Sequence, residues 1–281
     1  MSAEKQQPHS SDYLSQLYSR DYFLSDCEGY DAFRSTAGRK LTRRLSKCRD
    51  LVRATPGENV LDVGHGRGEI ALQLAERGVR VVAVDPSPAA VRLLQETKAA
   101  WLRAPDHSPL QIRTRGESLP IAANWADACI LSDVVEHLHP AELRELLREI
   151  HRVLRPDGRL VVHTQPNRRL VELTVPLLAR FSTLWGVRLP RDLRQEMSTG
   201  ARGDYHPNEQ TCGELTTTLK RAGFTIEEAW LEGSYPIHRI FGEHPIKSLL
   251  LARFRRSRWL KELFASQIFA LARKPSDVDI H

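Results

Sequence analysis

One ten-residue stretch restricts the fold more than any other: Val60-Leu61-Asp62-Val63-Gly64-His65-Gly66-Arg67-Gly68-Glu69. It reads as a strand, a loop with a glycine at every second position, and a helix start. Glycine tolerates left-handed backbone and lets the chain pass close under a ligand, and the helix N-terminus beyond favours a negatively charged group. A second run, Val81-Val82-Ala83-Val84-Asp85, ends in a carboxylate where a nucleoside would offer its two ribose hydroxyls. Together these features describe a nucleoside site in a strand–helix–strand unit. Dinucleotide binders carry Gly-x-Gly-x-x-Gly, whereas here the spacing is Gly-x-Gly-x-Gly, which argues against a dinucleotide oxidoreductase.

The rest of the chain extends that unit. Short β-branched runs at Val60–Val63, Val79–Val84, Leu110–Arg113, Ala128–Leu131 and Leu160–His163 alternate with amphipathic segments at Glu69–Arg77, Ala89–Leu102 and Ala141–Leu154. Alternation of this kind predicts an α/β fold, a doubly wound and mostly parallel sheet with helices on both faces. Ser87-Pro88 and Pro140 mark helix starts, and Pro156-Asp157-Gly158 marks a turn back into the sheet. Thr211 and Glu214 have capping-box spacing, with Gly223 closing that helix. Two last strands are predicted at Phe224–Leu231 and Gln267–Ala272, and one helix over Asp31–Ala54.

Composition narrows the setting. The chain has 281 residues, 41% hydrophobic and 27% charged, which excludes disordered and fibrous classes. The longest mostly apolar stretch, Leu170–Phe181, contains Glu172, Pro176 and Arg180 and falls short of the roughly 20 residues that span a bilayer. Residues 1–11 are polar, without a signal-like apolar core, so a disordered tail and a cytoplasmic protein are expected. Cys27, Cys48, Cys129 and Cys212 are widely separated, which points to reduced, structural thiols and no metal site.

The glycine motif and further pieces in order resemble the class I S-adenosylmethionine-dependent methyltransferases, in particular the small-molecule, type 11-like subgroup. Those pieces are Gly116-Glu117-Ser118-Leu119-Pro120, Ala126-Asp127-Ala128, Ser132-Asp133-Val134-Val135-Glu136-His137-Leu138 and Leu154-Arg155-Pro156-Asp157-Gly158-Arg159-Leu160. The resemblance implies a seven-stranded Rossmann-like sheet that binds S-adenosyl-L-methionine and releases S-adenosyl-L-homocysteine. It implies further that Gly64, His65, Gly66 and Gly68 surround the methionyl part, with Asp62 supporting the loop. Asp85 and Pro86 would lie at the ribose, Glu117 and Ser118 at the adenine, and Asp133 below the sulfonium. His65 stands where the subgroup usually has a small residue or cysteine.

Methyl transfer is an in-line displacement, so such an enzyme chiefly aligns the acceptor and excludes water. The Asn/Asp-Pro-Pro-Tyr type signature of methyltransferases acting on planar nitrogens is absent; Ser132-Asp133-Val134-Val135 stands in its place. That argues against nucleic acid and towards an oxygen acceptor, for which a histidine base is the usual partner. His137, His163 and His206 are the candidates, all expected at the carboxyl edge of the sheet.

These readings divide the chain into a tail at 1–11, an N-terminal helical cover at 12–56, a cofactor-binding core at 57–167, a helical insertion at 168–205 and a C-terminal part of the core at 206–275. A second basic insertion, 237–262, interrupts the last part. Arg168–Arg202 carries seven arginines against three acidic residues, and Arg239–Glu262 seven basic residues against two acidic. The net charge of +6 is therefore local: the insertions hold +9 and the rest −3. A lid that binds an acidic or amphiphilic acceptor through Arg255 and Arg256 is expected, with Tyr22 and Tyr30 of the cover closing the other side. The alternatives for the insertions are a homodimer face and a solvated face. For the whole chain they are an RNA methyltransferase and a catalytically inactive methyltransferase-like partner subunit.

Overall fold

The computed structural model describes residues 18–101, 108–181, 206–233, 252–254 and 256–276. The chain falls into two compact units, Met1–Pro120 and Ile121–His281. Among the described residues seven strands, numbered in chain order as β1 (Asn59–Val63), β2 (Arg80–Asp85), β3 (Leu110–Arg113), β4 (Ala126–Ser132), β5 (Leu154–Thr164), β6 (Thr225–Glu232) and β7 (Gln267–Arg273), follow the order β3-β2-β1-β4-β5-β7-β6.

In the first unit β1 (Asn59–Val63), β2 (Arg80–Asp85) and β3 (Leu110–Arg113) are parallel, with Asn59 opposite Arg80 and Asp85 opposite Arg113. Parallel neighbours need a crossover, supplied here by helices. The cover contributes α1 (Tyr30–Thr36) and α2 (Arg43–Leu51), and the crossovers are α3 (Glu69–Glu76) and α4 (Pro88–Trp101). Ser87 caps α4 with its hydroxyl, which accepts from the amides of Ala89 and Ala90 and donates to the carbonyl of Tyr18.

The single helix expected over Asp31–Ala54 is two. Ala37 and Gly38 both adopt left-handed backbone, with φ of 50° and 79°, and Thr42 then caps a new helix. Apolar periodicity runs on through this break because Phe33 before it and Cys48 after it are both buried. Upstream, Tyr22–Asp26 forms one wide helical turn whose Phe23 packs on Ala89, Ala90 and Leu93.

In the second unit β4 (Ala126–Ser132) pairs in parallel with β5 (Leu154–Thr164), while β7 (Gln267–Arg273) is antiparallel to both β5 and β6 (Thr225–Glu232). The expected turn at Pro156-Asp157-Gly158 is a bulge at the start of β5, where the register passes from Ala126–Leu154 to Ala128–Arg159 and Asp157 has a φ of 62°. The helices are α5 (Pro140–Val153), α6 (Val175–Phe181), α7 (Cys212–Arg221) and α8 (Arg258–Phe264). The Thr211–Glu214 capping box forms in both directions at the start of α7. Ile130, Leu131, Val161, Val162 and Ala270 are all buried, as in a sheet covered on both faces.

Candidate functional site

In the first unit the glycine loop closes on the end of β2. Gly64, Gly66 and Gly68 all have positive φ, and the amide of Gly64 donates to the carbonyl of Val84 at 2.8 Å. A Cβ on Gly68 would lie 2.3 Å from Leu94 Cδ1, so a side chain there would enter the packing of α4. Asp85 spans the loop: Oδ2 accepts from Gly66 N at 3.0 Å and Oδ1 from Ser87 N at 2.8 Å. Burial pushes its pKa up, and these amide donors act in the opposite direction. Asp62, on β1, is pushed up to about 7 by burial and by the neighbouring Asp85, and its Oδ2 has no hydrogen-bond partner among the described residues.

His65 is buried beside them. Gln111 Nε2 donates to the carbonyl of Val91 and faces His65 Nε2 at 3.3 Å, so that ring nitrogen accepts. The proton then resides on Nδ1, which donates to Gly66 O at 3.0 Å. Burial lowers the pKa of His65 and favours this neutral form. Glu117 and Ser118 are exposed and Pro86 is half-buried. Tyr22 is half-buried and makes edge-to-face contacts with Tyr18 and Phe23, while Tyr30 opens α1, also half-buried.

Arg67 is the residue of this unit that sequence reasoning missed. It is 3% exposed, and its guanidinium donates to the carbonyls of Phe23 at 3.0 Å, Cys27 at 3.2 Å and Glu28 at 2.9 Å. Its Nε donates to Glu69 at 2.9 Å, and it lies 5.1 Å from the ring centre of Phe33.

In the second unit a polar cluster forms where β4 and β5 end. Asp133 has a φ of 55°, its amide donates to the carbonyl of His163, and its Oδ1 is 3.0 Å from His163 Nδ1. His163 stands near the carboxyl end of β5, but its side chain is buried rather than open to an acceptor. Its ring is 0% exposed and lies 4.6 Å from that of Phe269, its cross-strand partner on the neighbouring β7. Glu136, also unforeseen as a site residue, accepts from the Thr164 hydroxyl at 2.7 Å. Its pKa is pushed up to about 8 by burial and by the nearby Asp133. His137 and His206 are half-buried and come together, with ring centres 4.9 Å apart. Asn208 secures the segment carrying His206: its amide donates to Glu136 O and its side chain to Val135 O, both at 3.2 Å.

Of the basic insertions, Asn167 fixes one end by donating to the carbonyls of Glu262 at 2.8 Å and Ala265 at 3.1 Å. Leu177 and Trp259 are 56% and 68% exposed, and Arg256 is exposed. Arg255 and residues 182–205 and 234–251 lie outside the described residues. Among the described residues no cluster of histidine, cysteine or acidic side chains could hold a metal ion, and no helix is long and apolar enough to cross a membrane.

Residues 61–162 match the family described as "Methyltransferase domain". An uncharacterized methyltransferase of Mycobacteroides abscessus is 37% identical over 106 residues, which is 37% of this chain and 39% of that protein. The chain thus spans about two fifths of the length of the curated relatives it matches. Among solved structures it is similar to the [4+2]-cyclase SpnF, with a TM-score of 0.60 and 19% identity over 95% of this chain and 97% of that one. It is also similar to a Burkholderia thailandensis 1,6-didemethyltoxoflavin-N1-methyltransferase bound to 1,6-didemethyltoxoflavin and S-adenosylhomocysteine. There the TM-score is 0.55 and the identity 22%, over 98% of this chain and 94% of that one. At these identities the likeness establishes the fold alone.

Proposed function

We propose that the chain transfers the methyl group of S-adenosylmethionine to an oxygen atom of a small or amphiphilic, acidic acceptor. The observation that carries this reading is Asp85, held at the end of β2 by the amides of Gly66 and Ser87. Each of its oxygens takes one amide proton and keeps acceptor capacity for a hydroxyl, which fits the two hydroxyls of a ribose. The unpartnered Oδ2 of Asp62 and three left-handed glycines fit the polar part of the same molecule. When bound, S-adenosylmethionine supplies an electrophilic methyl on a sulfonium. Asp62, Gly64, His65, Gly66, Gly68, Asp85, Pro86, Glu117 and Ser118 would hold it, and Asp133 would border the sulfonium.

The acceptor proton needs a base. His137 and His206 are suited to that role because they are half-buried and adjacent, whereas His163 is fully buried. Tyr22, Tyr30, Arg255 and Arg256 would contact the acceptor. The basic excess of the two insertions supports an anionic one.

Calorimetry tests the cofactor. The chain should bind S-adenosylmethionine and S-adenosylhomocysteine but not NADH, and Asp85→Ala should abolish binding; NADH binding instead would sink the reading. His206→Ala should retain cofactor binding while lowering kcat by about 10²-fold, as expected for loss of a general base. Unchanged kcat would remove the base assignment.

A further inference from the structure

Arg67 occupies an unusual position. Its neighbours on both sides are glycines of the cofactor loop, yet its side chain is directed away into the N-terminal cover. There one guanidinium serves three main-chain carbonyls, at Phe23, Cys27 and Glu28, and is neutralised by Glu69. Its five donors in a rigid fork make this possible, whereas a lysine ammonium has three donors and no fork. Phe23, pinned by its own carbonyl, lies against the loop: a Cβ on Gly66 would be 3.5 Å from its ring. The cover segment Tyr22–Phe33 and the loop Gly64–Gly68 are therefore joined through one buried side chain.

We propose that Arg67 is a positioning residue that couples cofactor binding to closure of the N-terminal cover. The proposal rests on the S-adenosylmethionine reading above. Left-handed glycines leave the loop free to sample other backbone states, and the fork meets its three carbonyls only when the Arg67 backbone is held in place. A ligand that fixes the loop fixes that backbone and hence the cover. By reciprocity, a cover locked on Arg67 raises the fraction of molecules whose loop is ready to bind.

The test is amide exchange with calorimetry on the full chain, free and with S-adenosylhomocysteine. The variants are Arg67→Lys, which retains the charge facing Glu69, and the charge-balanced pair R67M/E69Q. In the ligand-free pair, the amides of Cys27 and Phe33, bonded to Tyr22 O and Gly29 O, should exchange at least about tenfold faster. The amide of Gly57, bonded to Gly78 O outside the loop and the cover, should be unaffected. S-adenosylhomocysteine should slow exchange of the cover in the natural protein but not in the pair. Its affinity should fall about tenfold in the pair, within the usual range of site coupling. Arg67→Lys should restore part of both effects, which a purely structural role would not predict. Equal protection of the cover by ligand in all three proteins would overturn the coupling alone. Failure of the natural protein to bind either cofactor form would overturn the methyltransferase reading and the coupling with it.

Discussion

Gly66 N donates to Asp85 Oδ2 across 3.0 Å, so the middle glycine of the loop is tied to the residue that closes β2, nineteen positions away. The loop and the strand end are one hydrogen-bonded object. Replacing Asp85 with alanine leaves the amides of Gly66 and Ser87 without their acceptor in a buried setting. That should cost about 1–3 kcal/mol of stability in urea unfolding, besides the loss of cofactor binding. An unchanged midpoint would show that water satisfies both amides.

Gly68→Ala tests the approach of loop and helix. The new methyl would lie 2.3 Å from Leu94 Cδ1 at a φ of 80°. Strain and overpacking together should destabilise the chain by about 2–4 kcal/mol. Adding Leu94→Ala should make the glycine substitution less costly, because the clash is then relieved. If the two effects simply add, the contact is not the cause.

The pH dependence follows from Glu136. Its folded pKa of about 8 lies above the ordinary carboxyl value, so between roughly pH 4.5 and 8 the native state retains a proton that the unfolded chain has released. Its contribution to stability is therefore fully present below that window and is lost as pH rises to about 8. Asp62, at about 7, acts in the same direction. Glu136→Gln keeps a neutral acceptor for Thr164 and should flatten the decline in Tm between pH 5 and 8. One such group contributes up to about 1.4 kcal/mol per pH unit. Identical Tm–pH slopes in the two proteins would refute the assignment.

Asn167 fastens the end of the second insertion. Asn167→Ala removes two donors from the carbonyls of Glu262 and Ala265 in a fully buried position, at a cost of about 2–3 kcal/mol. Exchange of α8 amides should rise, while that of β1 and β2 should not. Uniform deprotection of every strand would mean global unfolding instead.

What could be read from the residues was whatever rests on local rules. The glycine loop, the Asp85 strand end and the caps at Ser87, Pro140 and Thr211 depend on neighbours within a few positions, and each formed where expected. The break at Ala37-Gly38 escaped because burial on both sides preserves the apolar rhythm across it. Burial of His163 escaped for a related reason. In a strand covered on both faces no polar alternation marks the inward side, and the neighbouring strand β7 that brings Phe269 against it comes from about a hundred residues further on. Arg67 gave little signal, since Glu69 is an ordinary neighbour and the guanidinium's other hydrogen bonds go to main-chain carbonyls, which every residue possesses. Glu136 and Asn208 stand in ordinary loop contexts, and only their meeting with β5 gives them a role.

At Tyr18, Phe23, Cys27 and Glu28 the backbone oxygens face inward, held by Ser87 and Arg67. At those positions part of the acceptor capacity of the main chain is spent inside the protein, which ties the cover to the strand ends beneath it rather than to solvent.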